Sequence, residues 1–250
     1  MTNIRKTSSV ILVAGGSGHL GRVCVEHLLK QQYKVFNYSS RVSNIHNPNL
    51  VERVGDLNDS MWLNSQFEAD AGVNSFYGIL NFAGRSKRVV VGENEEGNPL
   101  DAANLDTNIS LSLIRLFIDF PNFFVSNSRY IDIGSIWASQ IPFSPTYLDL
   151  DNEPSLSVLL SKASKKKLIQ YYAKVLGPSG VQLNQIAPGW FPKPSMTPRL
   201  DYIKGIESRI PFARIGNPKE LLSAFDFLLS PETTYITGQE IIVDGGFSIY

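Results

Sequence analysis

The sequence predicts an α/β fold: one domain built on a doubly wound parallel sheet of about seven strands, with helices on both faces. Three observations carry that prediction. Short β-rich runs alternate with longer helical patterns along the whole chain. The first run, SVILVA at residues 9–14, is apolar without alternation, as a strand buried on both faces is. It passes directly into glycines and then a helical pattern, the unit whose right-handed repetition winds such a sheet.

The elements follow in order. A helix is expected over residues 21–32, where Val23, Leu28 and Leu29 share a face, and a second strand over 34–38. Residues 50–54 read as the third strand, ending at Gly55-Asp56. Asn58 or Asp59 then caps a helix running to Ala71. FYGILNF at 76–82 is the fourth strand. Residues 85–99 are polar and charged and read as a mobile loop. Residues 101–120 form a long helix with Leu105, Ile109, Leu113 and Leu116 on one face. A fifth strand covers 129–133 and a helix 157–176. A sixth strand covers 181–187 and stops at Pro188-Gly189. A helix over 220–229 and a last strand over 240–243 complete the pattern. Residues 137–156, with Pro142, Pro145 and Pro154, resist a regular assignment and read as an insertion. Residues 189–204 combine prolines with Trp190, Phe191, Met196 and Tyr202, the composition of a loop that lids an apolar pocket.

Composition narrows the function classes. Basic and acidic residues balance, 23 against 23, so the chain offers no broad basic field for nucleic acid or an acidic membrane. The run Lys165-Lys166-Lys167 reads as a solvated helix face. Cys24 is the one cysteine, which rules out an intrachain disulfide and fits a reducing compartment. No apolar run reaches the roughly 20 residues of a membrane span. The expectation is a soluble, cytoplasmic protein acting on a small molecule.

Gly15, Gly18 and Gly21 are spaced G-x-x-G-x-x-G between the first strand and the first helix. The chain must turn sharply there, and its backbone must be able to approach a pyrophosphate. The helix N-terminus beyond offers free N–H groups and a positive dipole end. Together with Ser17, His19 and Leu20, these glycines read as the phosphate-binding turn of a Rossmann domain. The same turn nearly matches a hydrolase elbow around Ser17, but His19 stands where the last glycine is required. A Ser-x-x-Lys pair, Ser164 with Lys167, is a weaker acyl-transfer match in a lysine-rich helix.

From Val10 to Ser248 the chain resembles the short-chain dehydrogenase/reductase family. The glycine turn is close to that of the family's extended or atypical branch. Asp56-Leu57 matches the pair that contacts the adenine. Asn81-Phe82-Ala83-Gly84 resembles N-x-A-G, and Asn108 the family's helix asparagine. Ile131-Asp132-Ile133-Gly134-Ser135 resembles the strand that delivers the catalytic serine. Pro188-Gly189, then Tyr235-Ile236-Thr237-Gly238 and Val243-Asp244-Gly245-Gly246, follow in family order.

The resemblance implies hydride transfer between a nicotinamide and a small carbonyl or alcohol, sugar-related substrates included, with Ser135, Lys162 and Asn108 as catalytic residues. Lys162 also holds the cofactor ribose. Gly15, Ser17, Gly18, His19, Leu20, Gly21, Arg41, Asp56, Leu57, Asn81, Ala83, Gly84, Pro188 and Gly189 complete the cofactor site. One departure is decisive. The family places tyrosine four residues before its lysine, on the same helix face. The downstream register selects Lys162, which puts Val158 at the tyrosine position; choosing Lys165 would put Ser161 there. Tyr147, 12 residues after Ser135, is the best substitute. The alternative is a cofactor-binding pseudoenzyme with a regulatory or partner-binding role. The second strand ends Asn37-Tyr38-Ser39-Ser40-Arg41, without a carboxylate to repel a 2′-phosphate and with Arg41 to pair with one. NADP is therefore expected in preference to NAD. The resemblance also implies a homo-oligomer, a dimer or tetramer.

Overall fold

The computed structural model describes residues 10–72, 74–84, 99–141, 156–193 and 200–249. Seven parallel strands form one open sheet. They are β1 (Val10–Ala14), β2 (Lys34–Ser39), β3 (Leu50–Val54), β4 (Phe76–Asn81), β5 (Phe124–Ile133), β6 (Gln182–Pro188) and β7 (Glu240–Val243). Their order across the sheet is β3-β2-β1-β4-β5-β6-β7. The order reverses between β1 and β4, and a crevice opens beyond the strand ends at such a switch point.

The pleat of β1 shows why its residues are apolar without interruption. Successive side chains point to opposite faces, and here both faces are covered. Val10, Leu12 and Ala14 enter one core, together with Leu63, Phe67, Ile109, Leu113, Ile169 and Ala173. Ile11 and Val13 enter the other, with Cys24, Leu28, Phe225 and Leu228. The first core lies under α2 (Ser60–Ala71), α3 (Pro99–Asp119) and α4 (Leu156–Leu176). The second lies under α1 (His19–Lys30) and α6 (Leu222–Leu229). Cys24 is a buried free thiol, and burial pushes it far above its ordinary range.

Helix ends follow local chemistry. The Asp59 carboxylate accepts from the backbone N–H groups of Met61 and Trp62 and caps α2. Asn217 and Glu220 form a reciprocal capping box on a 3₁₀ turn, Pro218–Leu221, that leads into α6.

Some boundaries move. β5 begins at Phe124, five residues before the position expected from hydrophobicity. Its early part slips register against β4 and includes Asn127 at φ 58°, so no clean strand pattern marks it. The stretch expected as a lid loop ends in a helix, α5 (Leu200–Glu207). A 3₁₀ turn, Ile136–Ala138, opens the segment read as an insertion. Residues 85–98, expected as a mobile loop, and residues 142–155, which include Tyr147, lie outside the described residues. Among the described residues no helix is long and apolar enough to cross a membrane.

Candidate cofactor and active site

A cleft of about 850 Å³ opens at the switch point. Four strand ends build its floor. After β1 comes the glycine turn, with Gly15, Ser17, Gly18 and His19 on the wall. Ser39, Ser40 and Arg41 follow β2, Gly55, Asp56 and Leu57 follow β3, and Phe82, Ala83 and Gly84 follow β4.

The glycines are there because side chains would not fit. Gly15 has φ +75°, and a Cβ on it would come within 2.7 Å of the Ala83 backbone nitrogen. The first and fourth strand ends are therefore pressed together at the cleft floor. A Cβ on Gly21 would lie 2.4 Å from the Gly15 carbonyl oxygen, so Gly21 lets α1 start directly against the turn. Gly21 and Leu20 are not on the wall: the first is buried, and the second packs on the α1 core. His19 Nε2 is buried without a hydrogen-bond partner among the described residues. Burial holds the imidazole below its ordinary pKa, while a backbone bond at Pro192 acts in the opposite direction. The helix-terminal amides beside it suit an anionic group such as a phosphate.

The cleft wall beyond the glycine turn is polar and carries Glu26 and Asp56 as well as cations. Ser17 Oγ donates to the Arg41 carbonyl at 2.7 Å, and Asn37 Nδ2 donates to Ser17 Oγ at 3.0 Å. Sequence reading found no carboxylate at the end of β2. The structure brings Glu52 there from β3, in register with Asn37. That carboxylate is occupied: it accepts from Asn37 Nδ2 at 3.0 Å and from the Ser43 backbone N–H at 3.0 Å, and it does not line the cleft. Arg22, Arg41, Lys193 and Lys219 do line it.

The catalytic candidates lie away from that wall. Ser135 follows β5, and its Oγ accepts from the Trp137 backbone N–H at 3.2 Å. Lys162 is half-buried on α4, and Val158, one turn earlier, is half-buried as well. Burial, followed by the charge of Lys165, lowers the Lys162 amine to about 8, against the opposing pull of Asp106 and Asp132. Asn108 is exposed on α3, and its neighbour Ile109 reaches the cleft instead. Asn81 lies wholly buried beneath the floor, where its Oδ1 accepts from the Ala83 backbone N–H at 3.0 Å. Pro188 ends β6 in the core. Gly189 leaves it by donating its N–H to the Val243 carbonyl, in a space where a Cβ would collide with Asp244.

Sequence reading missed several cleft residues. Arg22 and Glu26 lie a helical turn apart on α1, and they carry no glycine-like signature. Pro192 and Lys193 follow β6, in the stretch read as a lid over an apolar pocket. Asn217, Pro218 and Lys219 were detectable, since Asn-x-x-Glu is a capping-box signature.

An open parallel sheet with a glycine-turn cleft at its switch point defines a dinucleotide-binding protein of the Rossmann class. Residues 153–248 match the sequence model of a family described as enoyl-(acyl carrier protein) reductase. The 3-oxoacyl-(acyl-carrier-protein) reductase of Vibrio cholerae is 28% identical, covering 95% of this chain and 96% of the relative. A short-chain dehydrogenase from Leptospira borgpetersenii, solved with bound NAD+, superposes with a TM-score of 0.83 at 21% identity, covering 97% of this chain and 93% of that one. An NADPH-bound short-chain oxidoreductase from Pseudomonas aeruginosa, described as containing an atypical catalytic center, superposes at 0.74 with 23% identity and 97% coverage of both chains. Over its length the chain is thus similar to short-chain dehydrogenases and reductases, in sequence to the reductase and in fold to the solved structures.

Proposed function

We infer that this protein is an NAD(P)-dependent oxidoreductase moving hydride between a nicotinamide and a small carbonyl or alcohol, and that it prefers NADP. The observation that carries the reading is the fused floor of the cleft, where Gly15 lies against Ala83 and the α1 terminus points into the space above. The turn amides hold the diphosphate, and Asp56 and Leu57 border the adenine. Arg41 pairs with the 2′-phosphate; the reading is supported by Glu52 being already engaged by Asn37 and Ser43.

When bound, the nicotinamide supplies or accepts the hydride. Ser135 Oγ holds the substrate oxygen through its hydroxyl proton, which the Trp137 contact leaves free. Lys162 holds the ribose as an ammonium below pH about 8. Valine at position 158 carries no proton, so we assign the proton transfer to Tyr147. Trp137, Trp190 and Phe247 pack on Tyr202, Ile206 and Ile210 beside the strand ends. Such an apolar wall suits a substrate with an apolar body.

Titration of the intrinsic fluorescence with NADPH and NADH tests the binding half. Saturation by NADPH at lower concentration is expected, and silence toward both at millimolar levels refutes the reading. A carbonyl panel with Tyr147→Phe tests the chemical half. Turnover should fall on the order of 10²–10⁴-fold, and an undiminished rate removes Tyr147 from the mechanism.

A further inference from the structure

Beneath the cleft floor, among side chains that no water reaches, lies a charged pair. Asp132 on β5 is fully buried, and Lys165 on α4 is 1% exposed. The Lys165 ammonium sits 2.5 Å from Asp132 Oδ1. The lysine that the sequence placed on a solvated face is therefore one of the most buried groups in the molecule. An apolar pair of the same volume often serves stability as well or better, because both charges must leave water. What the pair touches is therefore the informative observation.

Asp132 Oδ2 accepts three bonds: from Ser110 Oγ at 2.8 Å, Tyr130 Oη at 2.9 Å and Asn81 Nδ2 at 3.1 Å. Asn81 Oδ1 in turn accepts from the Ala83 backbone N–H at 3.0 Å. Ala83 is the backbone against which Gly15 lies. One arm of the network thus runs from the ammonium through Asp132 and Asn81 to the cofactor floor. The other arm is direct: Lys165 Nζ donates to the Ile133 carbonyl at 3.3 Å, two residues before Ser135.

We propose that Lys165, through its buried pair with Asp132, is a positioning residue that sets the cofactor floor at Ala83 and the Ser135 turn in register with each other. A carboxylate aligned on Asn81 holds that amide in one orientation, with Nδ2 toward Asp132 and Oδ1 toward Ala83. Without the charge, the amide can rotate and the Ala83 N–H loses its acceptor. An ammonium on Ile133 limits how far the β5 end, and Ser135 beyond it, can move relative to β4. Sequence could not show this, because Asp132 and Lys165 are 33 positions apart and each looks unremarkable where it stands.

The inference rests on the nucleotide reading of the cleft, so wild-type protein is titrated with NADPH first. Lys165→Met alone leaves a bare buried carboxylate and can unfold the chain. The deciding variant is therefore the neutral pair Asp132→Asn with Lys165→Met, followed by thermal unfolding, NADPH fluorescence titration and steady-state kinetics. A midpoint at or above wild type is expected, with the NADPH Kd raised at least tenfold and kcat at saturating NADPH lowered at least tenfold. Tyr130→Phe removes one donor from the same carboxylate at almost constant volume. It should raise the NADPH Kd about threefold, and it decides the matter if the neutral pair does not fold. Variants that bind and turn over as wild type does overturn the positioning role alone. A wild type that binds no nucleotide overturns the cleft reading, and this inference falls with it.

Discussion

Lys162 stands three residues before Lys165 on α4, and the two amines meet burial differently. Lys165 has Asp132 at 2.5 Å. Lys162 has no carboxylate at bonding distance among the described residues, and burial and then the Lys165 charge bring its amine down to about 8. In the unfolded chain a lysine titrates near 10.4. Between the two values the unfolded state binds more protons, so native stability gains as pH rises through that window. Urea midpoints at pH 7.5 and pH 9.5 should show this gain in the wild type. Lys162→Met should lose the increment and be no less stable at pH 7.5.

The same titration acts on binding with the opposite sign. Below pH about 8 Lys162 carries a charge that favours an anionic dinucleotide, and above it the charge is gone. The NADPH Kd should rise through that pH and then level off. In Lys162→Met it should be weak and flat. A Kd that rises equally in both proteins would assign the pH dependence to another group.

Gly15 tests the floor itself. Alanine there meets a positive φ of 75° and the Ala83 nitrogen at 2.7 Å. Strain of this kind costs on the order of 1–3 kcal/mol. Gly15→Ala should lower the melting temperature and raise the NADPH Kd more than tenfold. Gly18→Ala is the milder partner, because its Cβ would meet only the Gly15 oxygen, at 3.1 Å. It should keep the fold and lose less affinity.

The contrast between what sequence reading reached and what it missed has a physical basis. The glycine turn was legible because steric demand writes itself into residue type: only glycine fits at Gly15 and Gly21. The strands of the sheet centre were legible because both faces are buried. Lys165 was misread because a lysine beside two others on a helix ordinarily faces water, and only the fold brings Asp132 to it. Glu52 was missed for the same reason: it reaches the end of β2 across the sheet rather than along the chain. Asn108 was placed by motif and lies exposed, because helix phase rather than motif decides which side chain faces the cleft.

Arg41 tests cofactor choice. Its Nη2 already leans on the Ser17 carbonyl at 3.4 Å, a long contact that a phosphate can replace. A charge-assisted bond of this type is worth roughly 1.5–3 kcal/mol. Arg41→Ala should therefore weaken NADPH at least tenfold and leave NADH within twofold, measured side by side by fluorescence titration. Equal losses for both nucleotides would place the 2′-phosphate elsewhere, with Arg22 and Lys219 the next cations on the wall.

Ser135 separates structure from chemistry. Its oxygen caps the 3₁₀ turn by accepting from Trp137, while its proton is left to donate. Ser135→Ala removes both functions. The lost cap should cost about 1 kcal/mol of stability, and the lost donor should lower kcat on the order of 10²–10³-fold. The NADPH Kd should not move, because the serine hydroxyl is assigned to the substrate oxygen and not to the nucleotide. Ser135→Thr keeps a hydroxyl on the same backbone, so it should recover the cap and part of the rate. If alanine and threonine lower kcat equally, the hydroxyl is not the group that holds the substrate oxygen. The β5 end would then contribute only its shape.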